Sequence, residues 1–334
     1  LELELIEKIR QTAEAIEPPK KWVGLNKGIG DDCAELSPSP GHKILLTTDT
    51  MVEGVHFSLS YFDPYHLGRR LAAVNLSDIA AMGGVPRAAL LNIEVPRYLK
   101  DPASTFWKRF ALGLVGRLKE FGAVLVGGDT VASPCNRLGL TLTLTGEVEK
   151  GGALYRNGAS VGDMIYCSGY LGESACGLLL LKKRRSTLPF AIKKRLIQRH
   201  LDPEPRIPLG RLLKEMGATS AIDVSDGIAT DIAHIARGSG VKAVIEEKRL
   251  PISRALKRAC RETGVSPTKL AISGGEDFEL VWTISPKKAL EAERRLSAIL
   301  GHAPFLIGRI KRGKGLWLKG EGRTREITFT GYEH

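Results

Sequence analysis

Cysteine is scarce and scattered: five in 334 residues, at positions 33, 135, 167, 176 and 260, with no C-x-x-C spacing. That excludes a disulfide framework and a thiolate zinc site, and it points to a reducing compartment, with the cytoplasm as the expected location. Apolar runs are short, and none approaches the roughly 20 residues that cross a bilayer, so no membrane partner is expected. The opening residues, Leu1-Glu2-Leu3-Glu4-Leu5-Ile6-Glu7, are acidic and alternating, unlike a secretory or transit leader. Aromatics make up only 6% of the chain, too few for a platform that stacks single-stranded bases. The common nucleotide signatures are missing as well. There is no G-x-x-x-x-G-K-[ST] loop, no G-x-G-x-x-G after a strand, and no H-R-D paired with D-F-G.

What is abundant is positive charge: 49 Lys and Arg against 37 Asp and Glu, a net +12. Much of it sits in local clusters, Lys182-Lys183-Arg184-Arg185, Lys193-Lys194-Arg195 and Lys311-Arg312 with Lys314. Without interleaved aromatics these read as solvated surface, and no nucleic-acid partner is expected. The length suits two domains of about 150 residues each. Strand-like runs at 43–49, 123–129 and 138–148 alternate with amphipathic helical stretches near 65–82 and 103–121. The turn-rich stretch Arg156-Asn157-Gly158-Ala159-Ser160-Val161-Gly162-Asp163 then introduces a second series. It has strands at 164–167, 221–225, 241–246, 269–273, 278–284 and 304–310, with helices at 172–183, 189–200 and 228–238. The reading is an α/β protein of two halves, residues 1–150 and 151–334.

Acids recur where these strands are expected to end: Asp31-Asp32, Asp49, Asp129, Asp223, Asp226 and Glu276-Asp277. Asp is favoured in turns and helix caps, so any one of them is ordinary. Most, however, are embedded in glycine, which lets backbone approach a ligand closely. Asp78 stands out on geometry: on a helix near 65–82 it continues the stripe of Leu67, Leu71 and Val74, the face that should be buried. A buried carboxylate needs a partner or a metal. With Asp, Thr and Ser oxygens nearby and no His or Cys, the donor set favours Mg²⁺, usually with a phosphorylated ligand, over zinc.

The ordered motifs narrow this further. Gly28-Ile29-Gly30-Asp31-Asp32-Cys33-Ala34 is followed by Thr47-Thr48-Asp49-Thr50-Met51-Val52-Glu53-Gly54-Val55-His56-Phe57, Ala73-Val74-Asn75-Leu76-Ser77-Asp78 and Gly127-Gly128-Asp129-Thr130. Then come Arg156-Asn157-Gly158-Ala159, Ile222-Asp223-Val224-Ser225-Asp226-Gly227, Ser273-Gly274-Gly275-Glu276-Asp277-Phe278 and Gly331-Tyr332-Glu333-His334. This set, spanning residues 28 to 334, resembles the thiamine-monophosphate kinase family. The resemblance implies an aminoimidazole-ribonucleotide-synthetase-like (PurM-like) fold. It also implies a homodimer paired through N-terminal sheets into a barrel, with ATP in clefts between subunits and thiamine monophosphate as the acceptor. Position by position it implies Asp32, Thr47, Thr48, Asp49, Asp78, Asp129, Asp223 and Asp226 as ligands of several Mg²⁺ ions. Gly128, Asp129, Arg156 and Ser225 match ATP contacts, and His56 and Glu276 match contacts to thiamine phosphate. Phe329 stands where the family often has a Trp that stacks on the thiamine ring.

Other members of the superfamily are the nearest rivals. A selenophosphate synthetase should carry a reactive N-terminal Cys beside a Lys, and the hydrogenase-maturation dehydratase should end in a cysteine tail; neither pattern is present. The chemistry implied needs no general base, because the acceptor is a phosphate oxygen that is already anionic. Catalysis then consists of charge neutralisation and in-line positioning of two polyanions.

Overall fold

The computed structural model describes residues 2–16, 24–29, 33–101, 104–183 and 185–327. The chain divides into two compact units, one of residues 1–79 and 84–151, the other of 80–83 and 152–334.

The first unit runs α1 (Glu2–Ile16), β1 (Leu25–Lys27), β2 (Glu35–Leu36), β3 (His42–Val52), α2 (Pro64–Ala81, its last residues in the second unit), β4 (Val85–Val95), α3 (Thr105–Glu120), β5 (Val124–Ala132) and β6 (Gly139–Glu149). Its main sheet has the order β3-β6-β4-β5, antiparallel except for the β4–β5 pair. One face is apolar because β6 alternates as the sequence predicts. Leu138, Leu140, Leu142 and Leu144 are all buried, with threonines on the other side. Helix α3 begins where Ser104 accepts the Phe106 N–H at 3.2 Å.

Asp49 and Asp129 are not at strand ends. β3 continues three residues beyond Asp49, and β5 three residues beyond Asp129. The Gly-Gly-Asp segment reads locally as a turn, but pairing of Gly127 to Ala132 with Leu90 to Val95 keeps it extended. A Cβ on Gly128 would lie 1.8 Å from the Leu91 carbonyl oxygen, so this pairing requires glycine there.

The second unit carries β7 (Met164–Cys167), α4 (Glu173–Lys182), α5 (Phe190–Leu201), α6 (Ile207–Glu215), β8 (Ala218–Asp223), α7 (Ile228–Ser239), β9 (Lys242–Glu246), α8 (Arg254–Thr263), α9 (Pro267–Ser273), β10 (Leu280–Ile284), α10 (Pro286–Leu300), β11 (Phe305–Lys311), β12 (Gly315–Lys319) and β13 (Thr324–Glu326). Seven strands form one mixed sheet in the order β13-β12-β9-β11-β7-β10-β8. Residues 269–273, expected as a strand, are helical. Ser266 accepts the Lys269 N–H at 3.3 Å and Pro267 occupies the first turn, so the cap decides what a five-residue apolar run leaves ambiguous.

No described helix is long and apolar enough to cross a membrane. All five cysteines are free thiols, three of them buried.

Candidate active site

In the first unit the structure brings three of the expected ligands together. Period-two alternation points Thr47 and Asp49 of β3 to the side of the sheet that bears Leu45 and Met51. Asp78 approaches from α2, and the Thr47 hydroxyl donates to its Oδ2. Asp78 is half-buried rather than fully enclosed, in line with Leu67 and Leu71, which are wholly buried. Burial, then the neighbouring Asp78 charge, push the Asp49 carboxyl up to about 6.

Thr48 and Asp129 are not part of that cluster. Thr48 lies on the opposite face of β3 and meets Thr143 at 3.0 Å. Asp129 pairs in register with Asn92, which pairs with Thr141 opposite Thr50, so all four share the open face. Asp129 accepts the Thr130 N–H at 2.8 Å and is otherwise exposed. On this face a cavity of about 650 Å³ is lined by Leu46, Leu90, Asn92 and Gly127 to Thr130, and by Ile6 and Ile9 of α1.

His56 closes the turn after β3. The Val52 N–H donates to its Nδ1 at 3.0 Å. A neutral His56 ring therefore carries its proton on Nε2. Gly54, at φ +84°, leaves room for the Arg137 guanidinium, which also donates to the Glu53 carbonyl at 3.3 Å.

In the second unit, register gathers the remaining candidates at one end of the seven-stranded sheet. Asp223, the last residue of β8, pairs with Leu280 at the start of β10, which neighbours the end of β7. The β8–α7 turn with Ser225 and Asp226 is bonded to the segment before β10: Glu276 N–H donates to Ser225 O at 2.7 Å, and Phe278 N–H to Val224 O at 2.9 Å. Glu276 and Phe278 adopt φ of 56° and 50°, left-handed values that cost a non-glycine residue on the order of 1–3 kcal/mol.

That strain is held by buried charge. Glu279 accepts from Arg199 and Arg206, each at 2.6 Å, and from Ser168. Burial raises its pKa, but the two guanidinium groups outweigh this and hold the carboxyl at about 2. Asp277 caps α4 by accepting the Gly172 and Ser174 N–H groups at 2.5 and 3.1 Å, while burial pushes its carboxyl up to about 7. The Glu276 carboxylate stands 3.6 Å from His200 Nδ1.

Arg156 is exposed on a loop whose carbonyl accepts from Ser239 of α7 at 3.4 Å. Its charge acts on Asp231 and His234 of that helix. No quoted motif marks Asp231. Burial, then the charges of Asp223 and Asp226, drive its carboxyl well above the usual range. The stripe that singles out Asp78 would have found it, since Asp231 lies among buried Ile228, Ile232 and Ile235. Glu279, Arg199 and Arg206 left no such signal, because their partners are distant in sequence.

Residues 158–162, Gly-Ala-Ser-Val-Gly, have nucleophile-elbow spacing, yet they lie in a loop leading into β7. The strand-to-helix turn that the motif requires is not formed there.

Asp32 and Phe329 lie outside the described residues. Among the described residues, no three His, Cys, Asp or Glu side chains stand at ligand spacing; like charges repel. The donor set still fits a hard divalent cation: hydroxyl and carboxylate oxygens in the first unit, and a buried Asp231 Oδ2 without a hydrogen-bond partner in the second.

The family model "AIR synthase related protein, N-terminal domain" matches residues 30–148. Along its whole length the chain is 35% identical to the thiamine-monophosphate kinase of Aquifex aeolicus (strain VF5), covering 100% of this chain and 97% of that one. The crystal structure of thiamine-monophosphate kinase from Stenotrophomonas maltophilia K279a superimposes with a TM-score of 0.81 at 35% identity, over 96% of this chain and 97% of that one. The structure of AaThiL complexed with AMPPCP and TMP gives a TM-score of 0.77 at 32% identity, over 99% and 96% of the two chains. Matched from end to end in sequence and in the α/β fold expected from its motifs, this chain belongs to the thiamine-monophosphate kinase family.

Proposed function

We propose that this enzyme transfers the γ-phosphoryl group of ATP in line to the phosphate of thiamine monophosphate, forming thiamine diphosphate. The observation that carries the reading is the Thr47–Asp78–Asp49 oxygen cluster. It stands on a chain alike from end to end to AaThiL complexed with AMPPCP and TMP.

Asp32, Thr47, Thr48, Asp49, Asp78 and Asp129 from residues 1–150, with Asp223 and Asp226 from residues 151–334, would hold several Mg²⁺ ions. Bound Mg²⁺ supplies the positive charge that lets two polyphosphates approach. Gly128, Asp129, Arg156 and Ser225 would contact ATP. Arg156 brings a fixed positive charge, and Gly128 leaves backbone bare of a side chain. No residue acts as a general base, since the attacking phosphate oxygen is already ionised. His56 fits this scheme as a donor: with Nδ1 accepting the Val52 N–H, a neutral ring carries its proton on Nε2, which would donate to the substrate phosphate. Glu276 offers negative charge to the cationic thiazolium ring, and Phe329 would stack on the thiamine.

The homodimer is supported by the open face of the N-terminal sheet, where Leu46 is 70% and Ile44 57% exposed beside Leu90 and Val131. Pairing that face with a second copy would cover it and place Asp129 at the joint, where ATP would bind. A cytoplasmic location accords with the free thiols.

The test is incubation with ATP, Mg²⁺ and thiamine monophosphate, with separation of the products. Formation of thiamine diphosphate is expected, with turnover lowered by at least about 100-fold in Asp78→Asn and in Asp129→Asn, as removing charge-positioning groups does. Near-normal product formation by both variants would refute the carboxylate roles.

A further inference from the structure

The segment leading into β10 is held in a shape it would not adopt alone. Gly275, Glu276 and Phe278 have φ of 64°, 56° and 50°. Left-handed backbone at two non-glycine residues persists only where the surroundings enforce it. On one side the β8–α7 turn does so through backbone hydrogen bonds, and the Val224 N–H adds a bond to Glu279 O at 2.8 Å.

On the other side stands α5. Arg199 Nη2 donates to Glu279 Oε1 at 2.6 Å and to the Asp277 carbonyl at 3.2 Å, the peptide between the two strained residues. One residue on, His200 Nδ1 lies 3.6 Å from the Glu276 carboxylate and 3.2 Å from Ser174 Oγ. Arg206 has a different part. It sends Nε and Nη2 to the Glu279 carboxylate at 2.8 and 2.6 Å, which balances the charge of that 1%-exposed acid. Arg199 also grips the backbone.

We propose that Arg199 is a positioning residue for thiamine monophosphate. By tying the Asp277 carbonyl to Glu279, it fixes the peptide that presents Glu276 to the substrate. This rests on the reading of Glu276 as a substrate contact. The competing role is charge balance alone, in which any cation at position 199 would serve. Lysine separates the two, because it keeps the charge and lacks the planar guanidinium fork.

Full-length wild type, Arg199→Lys, Glu276→Gln and the double variant are compared by steady-state kinetics and by melting. Calorimetric titration with thiamine monophosphate, in Mg²⁺ and a non-hydrolysable ATP analogue, gives Kd. Arg199→Lys is expected to melt near wild type and to raise KM and Kd for thiamine monophosphate about tenfold, with kcat and KM for ATP within about threefold. The double variant should bind no more weakly than Glu276→Gln, since both changes remove one interaction. Wild-type affinity in Arg199→Lys beside weakened Glu276→Gln overturns this proposal alone. Additive losses in the double variant, or a parallel rise of both KM values with a lower Tm, also overturn it. Unchanged affinity in Glu276→Gln overturns the Glu276 reading and this inference with it, as does a wild type that does not bind thiamine monophosphate.

Discussion

A single carboxylate shows how closely charge and stability are tied at this site. Unfolded, an Asp loses its proton near pH 4. Asp49 in the folded chain holds it to about 6, through burial and then through Asp78. Between those values the folded state binds more protons than the unfolded one, so stability falls as pH rises from about 4 to about 6. In chelator, Asp49→Asn is expected to remove that slope and to raise stability at neutral pH by on the order of 1 kcal/mol, since the half-exposed carboxyl is partly screened. Calorimetric melting at several pH values checks both statements. The sequence marks Asp49 as an acid within a suggestive motif, but it cannot say that Asp78 is its neighbour.

At the level of helices and strands, close approach governs how the candidate ligands are mounted. Gly113 of α3 packs against α2, where an added Cβ would lie 2.0 Å from the Tyr65 carbonyl oxygen; the reciprocal Gly68 would meet Phe110 O at 2.2 Å. Helix α2 carries Asp78, so this contact sets where that acid stands. Gly113→Ala is expected to destabilise the protein by about 2–3 kcal/mol through overpacking, visible as a lower urea midpoint with an unchanged slope. The helical period of α2 and the alternation of β6 are plain in the chain, because each buries one face along its whole length. Residues 269–273 read locally as a strand but are helical, and the long β4 carries no clear period in the sequence. A short apolar run has no period of its own, and its state depends on caps or on strands that arrive from elsewhere.

At the scale of the whole molecule, the open face of the N-terminal sheet exposes Ile44, Leu46, Leu90 and Val131 among its threonines and Asp129. If a second copy covers it, charge placed there should prevent association: Leu46→Glu is expected to shift the protein from dimer to monomer in sedimentation equilibrium. An unchanged dimer would place the interface elsewhere. The same variant should lose much of its turnover, because the ATP clefts are read as lying between subunits.

The order of the motifs was enough to name the family and the α/β class. Chemistry selects residue types, and types in series are visible without coordinates. Thr47, Asp49 and Asp78 could be marked as candidates for the same reason. The structure decided which candidates meet. Alternation along β3 and register across β4 turn Asp129 and Thr48 away from Asp49, and pairing keeps Gly128 and Asp129 inside a strand rather than at its end. It also decided that Asp231 reaches back to Asp226, and that Glu279 holds two distant arginines under the Glu276 turn. Such contacts join residues far apart in the chain, and only packing brings them within reach.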